Sequence, residues 1–299
     1  MAVALTCRVA PQDPALLECT ERIARDTDLP SRPLQLQALL QLPRLADERG
    51  IIPVSVVEAL VGELAKELPA KPEWSVRGAA SSPRQLHFHE VDGARSQDVM
   101  KRLHYLRSPR MDGRAYGLST DDGCLVALCV SSPLDVPRLC EMLVAHYRSM
   151  PLGARVVSRV FAFEGAPTNS ISYLLSRAAR AERRQGVTDF VTYVNPNMGF
   201  TGASYRASGW QLLGDEPGTT YRYIDGRYTT DRNLAAEFGR QNDGTYRRLL
   251  GARFAVSTMP LAPLLVFHYR VSGHVEKLES CRPSRSKAGQ PQPVLDSGT

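Results

Sequence analysis

Val156-Val157-Ser158-Arg159-Val160-Phe161-Ala162-Phe163, then Asn169 to Arg184, then Asp189-Phe190-Val191-Thr192-Tyr193-Val194 decide the fold of this chain. Two short apolar runs of strand character enclose a segment with helical periodicity. Each run ends in turn residues: Gly165-Ala166-Pro167-Thr168-Asn169-Ser170 follows the first, and Asn195-Pro196-Asn197-Met198-Gly199 follows the second. A strand, helix, strand unit of this kind belongs to an α/β sheet, whose polar groups gather at the carboxyl ends of the strands. Arg159, Asn195 and Tyr205 are therefore expected to face one cleft.

Upstream of this unit, Leu86 to Val91 alternates as a strand. Ser96 to Tyr105 reads as a helix with Ser96 as its cap, and strands at Ala115 to Ser119 and Cys124 to Ser131 are joined by Asp121-Asp122-Gly123. Val136 to Tyr147 is amphipathic. Downstream, Thr201 to Ala207 is a short helix, and Trp210 to Leu213 with Thr220 to Ile224 reads as a last hairpin followed by the turn Asp225-Gly226. Asp231 to Arg240 is polar and helical, and Leu264 to Phe267, after Pro260 and Pro263, reads as an edge strand. The fold class expected is α/β (α+β), a mixed sheet flanked by helices.

The first eighty residues read instead as three helices, Pro14 to Asp28, Arg32 to Arg49 and Val54 to Leu68. Leu34, Leu36, Leu39, Leu40, Leu42 and Leu45 are too many for one apolar stripe, so neighbours or a partner must cover the second helix on more than one side. Pro69 to Arg84, around Trp74, has the composition of a linker. The expected organisation is a helical module and linker over residues 1–80, an α/β domain over 85–271, and a disordered tail over 272–299, where apolar residues to bury are scarce.

At 299 residues with 43% hydrophobic and 23% charged content, the chain has the composition of a soluble globular protein. The sequence shows neither an apolar run near the ~20 residues of a membrane span nor a signal-peptide pattern, so a cytoplasmic protein without membrane association is expected. The six cysteines are scattered without a CxxC pair, which indicates neither a zinc site nor a disulfide framework. His87 and His89 alternate on one strand, but no carboxylate or cysteine completes a ligand set, so no metal is indicated.

Net charge is +6 and the pI about 9.1, a balance compatible with a polyanionic partner. Arg177, Arg180 and Arg184 share one helix face opposite Leu174, Leu175, Ala178 and Ala179, either as a stripe that tracks phosphates or as a solvated face. Arg206, Arg222, Arg227, Arg247 and Arg248 add positive charge downstream.

Taken in order, His104-Tyr105, Ser158-Arg159, Ala166-Pro167-Thr168-Asn169-Ser170, Tyr193-Val194-Asn195-Pro196, Gly199-Phe200-Thr201-Gly202 and Tyr205-Arg206-Ala207-Ser208-Gly209-Trp210 resemble the Mom family of phage DNA-modification proteins over about the middle half of the chain. The resemblance implies a GNAT-type acyltransferase fold. It also implies a transferase that converts adenine in DNA to a methylcarbamoyl (carbamoylmethyl) adenine, which shields the DNA from restriction nucleases. It places the family's functional tyrosines on Tyr105 and Tyr205 and its arginine on Arg159. At the fourth position the family pattern has an aspartate before proline and this chain has Asn195, which can be neither a general base nor an anionic metal ligand. The chemistry then dispenses with that carboxylate, or Glu164 or Asp189 replaces it, or the substrate differs.

The catalytic candidates are accordingly Tyr105, Arg159, Asn195 and Tyr205. His104, Asn169, Ser170, Thr201, Arg206 and Trp210 are expected to contact substrate, and Arg177, Arg180 and Arg184 nucleic acid. An acyl-type transfer needs an oriented amine, a route for its proton and countercharge for the oxygen of the attacked carbon. A tyrosine can donate or relay a proton, the arginine fork can hold a carboxylate or phosphate, and an asparagine can pair with the edge of a base. The alternative for each is structural: Tyr105 closes a helix against the core, Arg159 pairs with Glu164 or Asp189, and Asn195-Pro196 is a turn.

The residues leave the donor open. Acetyl-coenzyme A or a related acyl donor is one candidate, although Glu164 to Ser170 holds one glycine, a proline and an acid where coenzyme A enzymes of this fold carry a glycine-rich phosphate turn. DNA is the partner expected first, with tRNA or a small-molecule donor as alternatives and self-association through the amino-terminal helices as a further one. Two other functions stay open: an N-acyl or aminoacyl transferase acting on a non-DNA acceptor, and a non-catalytic binding or regulatory protein on the same fold.

Overall fold

A computed structural model describes residues 6–76, 80–148 and 153–271. The tail expected to be disordered, and Cys281 within it, lie outside the described residues. In chain order the elements begin with β1 (Thr6–Arg8), α1 (Pro14–Asp26), α2 (Ser31–Gln41), β2 (Ile51–Pro53) and α3 (Val54–Glu67). Next come β3 (His87–Val91), α4 (Gly93–Arg102), β4 (Arg114–Ser119), β5 (Leu125–Pro133), α5 (Pro137–Tyr147), β6 (Ala154–Ala162), α6 (Ser170–Arg183) and β7 (Asp189–Val194). The chain continues with α7 (Ala203–Ala207), β8 (Gln211–Glu216), β9 (Arg222–Ile224), β10 (Arg227–Thr229), α8 (Asp231–Phe238), α9 (Asp243–Leu250), β11 (Phe254–Val256) and β12 (Leu264–Arg270).

The central sheet has seven strands in the order β3-β4-β5-β6-β7-β12-β8. Every neighbouring pair is antiparallel except β6 and β7, which are parallel because α6 carries the chain back across the sheet between them. This is the mixed sheet flanked by helices that the sequence predicts. β5 is buried from Leu125 to Ser132 and reads as a continuous apolar run rather than an alternating one because both its faces are covered. Ala127 and Cys129 cluster with Leu174 and Ala178 of α6, whereas Leu128 and Val130 cluster with the leucines of α1, α2 and α3.

The amino-terminal helices thus share one apolar core with the sheet. α1 and α3 cover α2 on two sides, which accounts for its surplus of leucines. The fully buried Tyr223 hydroxyl donates to the Leu40 carbonyl at 2.9 Å and pins β9 against α2. The segment read as a linker is also tied down. Trp74 is buried with its indole N–H on the Pro69 carbonyl, and its own carbonyl accepts from the Glu164 amide at 2.7 Å, because a large ring beside the sheet is worth more buried than solvated.

Other boundaries differ from the sequence expectations for local reasons. α2 ends at Gln41 because Pro43 follows. α4 starts at Gly93 under an Asp92 cap, whose carboxylate accepts from the Arg95 amide at 3.1 Å; Ser96 is buried inside the helix, and His104-Tyr105 lies in the turn beyond it. The expected hairpin between Trp210 to Leu213 and Thr220 to Ile224 does not form. β8 pairs with β12, and β9 pairs with β10 across Asp225-Gly226, both at positive φ as a tight two-residue turn requires. β12 is likewise no edge strand. It lies between β7 and β8 with Val266 and Phe267 fully buried, and its two prolines precede the ladder instead of interrupting it. Among the described residues no helix is long and apolar enough to cross a membrane.

The approach to α7 depends on one glycine. Gly202 sits at φ +79°, and a Cβ there would stand 2.5 Å from the buried Phe267 ring. Gly202→Ala is therefore expected to destabilise the protein by about 3 kcal/mol, combining the left-handed backbone with overpacking. Urea melts of the two proteins check this.

Candidate active site

β6 and β7 begin as neighbours and then part. Their pairing covers only Ala154 to Val156 against Asp189 to Val191. Opposite β5, Val130 faces Arg159 while Ser131 faces Val157, so Ser158 is the extra residue of a bulge. Its hydroxyl lies 2.8 Å from that of Ser132. A bulge bends its strand, and this one sits where β6 leaves β7. At the fork the Thr192 hydroxyl donates to the Val157 carbonyl at 2.8 Å, and beyond it β7 keeps β12 but has no partner on the β6 side. A cavity of about 390 Å³ occupies the gap, closed by Phe200 to Tyr205, by Tyr105 and by Leu36 of α2.

Among the described residues Arg159 is the cavity's one permanently charged side chain, and no aspartate or glutamate lines it. Its Nε donates to the Ser108 carbonyl at 2.8 Å and its Nη1 to the Ser158 carbonyl at 2.6 Å. Burial lowers its pKa, and the nearby cation Arg110 acts in the same direction. The carboxylates that sequence reasoning offered, as ion-pair partners of Arg159 or as replacements for the family's acid, are elsewhere. Asp189 is buried at the opposite end of β7, 2.8 Å from His268 Nε2 and 3.0 Å from Arg270 Nε; Glu164 is exposed beyond β6. A desolvated cation held only by carbonyls and facing a cavity carries an unmet demand for an anion.

Tyr105 stands beside it. Burial pushes its hydroxyl up to about 12, against the pull of Arg159, so it is a neutral O–H at ordinary pH, and it has no hydrogen-bond partner among the described residues. Its ring packs on His104 at 4.5 Å and on Phe200 at 5.5 Å. The buried His104 accepts from the Leu106 amide at Nδ1, 3.2 Å away, which leaves its proton on Nε2 near the Val160 backbone. Burial, and secondarily Arg159, holds its pKa well below the usual histidine value.

Because the unfolded chain protonates His104 first, its stabilising contribution is complete above about pH 6.5 and is lost as the pH falls through that value. The urea midpoint is expected to drop between pH 7 and pH 5, and His104→Gln should flatten that drop.

Tyr205 lies across the cavity with its hydroxyl 3.4 Å from Thr192 Oγ1, and burial raises its pKa as well. Asn195 lines the cavity, yet its amide is occupied: Nδ2 donates to the buried Tyr221 hydroxyl at 2.8 Å, and Oδ1 accepts from the Asn197 amide at 3.0 Å. It caps the turn after β7 and orients Tyr221.

Of the expected substrate contacts, His104 and Thr201 line the cavity, and Asn169, Ser170, Arg206 and Trp210 do not. Ser170 is buried with its hydroxyl on the Pro167 carbonyl, and Asn169 is an exposed N-cap at φ +68° that makes no side-chain cap bond. Trp210 packs in the core against Tyr205 and Tyr269, and Arg206 stacks over Phe267.

Arg177 and Arg180 on α6 and Arg184 at its carboxyl-terminal cap are all exposed. The Arg177 guanidinium lies 5.8 Å from the ring centres of both Phe88 and Tyr173. Arg180 and Arg184 form no ion pair among the described residues, whereas Arg222 is neutralised by Asp231 and Asp243 and Arg227 by Glu67. Sequence reading passed over Leu36, Ser108 and Tyr221, which reach the site from distant segments and carry no local motif. Among the described residues no group of three potential metal ligands gathers.

The model of the Mom protein family matches residues 85–258, more than half the chain and all of the forked-strand region. The chain belongs to the Mom protein family. No curated protein shows significant sequence similarity to it. Solved structures similar to this Mom-family chain include the ribosomal-protein-S18-alanine N-acetyltransferase from Escherichia coli, at 10% identity and TM-score 0.36 over 65% of this chain and 99% of that one. A Bacillus subtilis acetyltransferase in complex with CoA matches at 10% identity and TM-score 0.34 over 62% and 98%. A spermidine/spermine N-acetyltransferase from Vibrio cholerae, in complex with manganese ions, matches at 8% identity and TM-score 0.37 over 63% and 94%.

Proposed function

We propose that this Mom-family protein is a transferase that modifies an exocyclic amine, adenine N6 in DNA being the acceptor, with methylcarbamoylation as the modification and restriction resistance as its effect. The observation that carries this reading is Arg159, a half-buried cation with no carboxylate partner among the described residues, aimed into the gap between two parting strands. In such a transfer the amine nitrogen attacks the donor's reacting carbon while a leaving group departs and the amine loses a proton. Arg159 supplies positive charge where negative charge develops or where the donor carries an anionic group. Tyr105, neutral and with a hydroxyl that has no partner among the described residues, is placed to donate a proton to the leaving group. Tyr205 and Thr192 form the opposite polar wall, and Asn195 holds the wall that carries Tyr221.

An elongated acyl-type donor suits the gap, where β6 lacks a neighbour on its β7 side. Coenzyme A is one such donor; when bound it would supply an activated acyl group. The first turn of α6 leaves the Ile171 and Ser172 amides free for its phosphates, but the loop before α6 has a single positive-φ glycine, Gly165, and a proline where backbone amides would have to converge. Arg180 and Arg184, exposed and without an ion-pair partner among the described residues, support a polyanionic acceptor. DNA from a host that expresses the protein is expected to resist nucleases whose sites contain adenine, and DNA from an Arg159→Ala host to be cut. Equal cutting of the two would contradict the proposal.

A further inference from the structure

Tyr105 and Leu36 are walls of a second cavity, of about 300 Å³, on the face of β6 that carries Arg159. Side chains two apart on a strand share a face, so Phe161 projects on the side of β6 that carries Arg159 and lines this cavity, as does Phe163 just past the strand end, while Arg159 itself lines the first cavity. The two rings meet edge to face at 5.0 Å, and Trp74 stands 6.2 Å from Phe161. Phe161 and Phe163 stay half-buried, with faces open to the cavity. Behind them Gln37 is buried and donates Nε2 to the Tyr105 carbonyl at 2.9 Å, while its Oε1 accepts no hydrogen bond among the described residues.

The exposed Ser31, Arg32 and Glu164 also line this cavity, and the aromatic walls with the unused Gln37 acceptor behind them fit a flat ring bearing an amino group. An aliphatic acyl chain has no use for the acceptor, and stacking between aromatic rings favours a flat heterocycle. We infer that this cavity holds the acceptor base, a purine turned out of its strand, with its ring stacked on Phe163 and an amino hydrogen donated to Gln37 Oε1. The inference rests on the reading above that the acceptor is a nucleobase, and it specifies where that base sits. Gln37 is fastened to the backbone of Tyr105, which lines both cavities, so an amino group bound there lies beside the residue that the second cavity shares with the Arg159 cleft. Flipped bases are held in this way by stacking and by edge hydrogen bonds.

The chain has two tryptophans, Trp74 in this cavity and Trp210 in the core cluster beside Tyr205. In a Trp210→Phe background Trp74 alone reports on the cavity. Titration with a short single-stranded DNA containing one adenine should change its fluorescence. The same strand with an abasic position should bind about tenfold more weakly, the scale of one stacked base. Phe163→Leu keeps apolar bulk without a ring and should erase the preference while sparing the binding of the abasic strand. Gln37→Leu, of similar volume, should weaken it too, so that a folding failure in one variant leaves the other as the test.

Equal binding of both strands would overturn the assignment. So would a Trp74 response to coenzyme A but not to DNA, which would give the cavity to the donor. If host DNA carries modified adenine at the wild-type rate with Phe163→Leu, the pocket fails and the transferase reading stands. If Trp74 prefers adenine while host DNA stays unmodified, the pocket stands and that reading fails.

Discussion

Arg159→Ala is expected to lower product formation by about two to three orders of magnitude, the scale seen when a preorganised charge is removed from a transition state, while the melting temperature stays within about 4 °C. The two expectations share one cause. Arg159 has no carboxylate and is desolvated, so its removal leaves two carbonyls able to find water and no anion stranded. An arginine kept only for structure would behave in the opposite way, with a large loss of stability. Arg159→Lys should be nearly as inactive as the alanine variant. A point charge on a flexible stem cannot hold the Ser108 and Ser158 carbonyls and still present a planar fork to the cleft. Product per unit time, read with the melting temperature on the same samples, checks all three expectations. Full activity of the alanine variant would remove Arg159 from the mechanism.

Tyr105→Phe is expected to cost about a hundredfold in rate with KM little changed, within the range for loss of one positioned acid or base. The hydroxyl has no partner among the described residues and the ring is retained in its stack between His104 and Phe200, so stability should not move. Because burial pushes the hydroxyl up to about 12, the variant's rate deficit should be the same from pH 7 to pH 9. A deficit that closed over that range would mean that Tyr105 acts as an anion, contrary to its surroundings. Steady-state rates of the two proteins at three pH values would decide it.

The sheet was legible because its strands are short apolar runs set off by turn residues, and because the segment between β6 and β7 has unbroken helical spacing from Ser170 to Arg183. A cleft holding Arg159, Asn195 and Tyr205 was legible from the strand ends, but its fork was not. The bulge at Ser158 that opens it is a one-residue excess on one strand, and composition gives no sign of it. Pairings between distant segments were hidden as well. Gln211 to Glu216 could have paired with the next strand or with Leu264 to Arg270, and the burial of Phe267 against Gly202 and Tyr205 favours the second.

Candidate residues read from local motifs divide along similar lines. His104, Tyr105, Arg159, Asn195, Thr201 and Tyr205 meet in one cavity, while Asn169, Ser170, Arg206 and Trp210 serve the turn and the core around it. The helices of the first eighty residues carry no motif at all, yet they supply Leu36 and Gln37 to the cavities around Tyr105, because α2 is the element packed over the carboxyl end of β6.

The central claim is tested most directly by mass spectrometry of nucleosides from the DNA of a host expressing the protein, beside the same host expressing Arg159→Ala at equal soluble level. The expected result is an adenine nucleoside of increased mass present with the wild-type protein and absent with the variant. Unmodified adenine in both, with folded protein in both, would contradict the assignment of DNA as the acceptor.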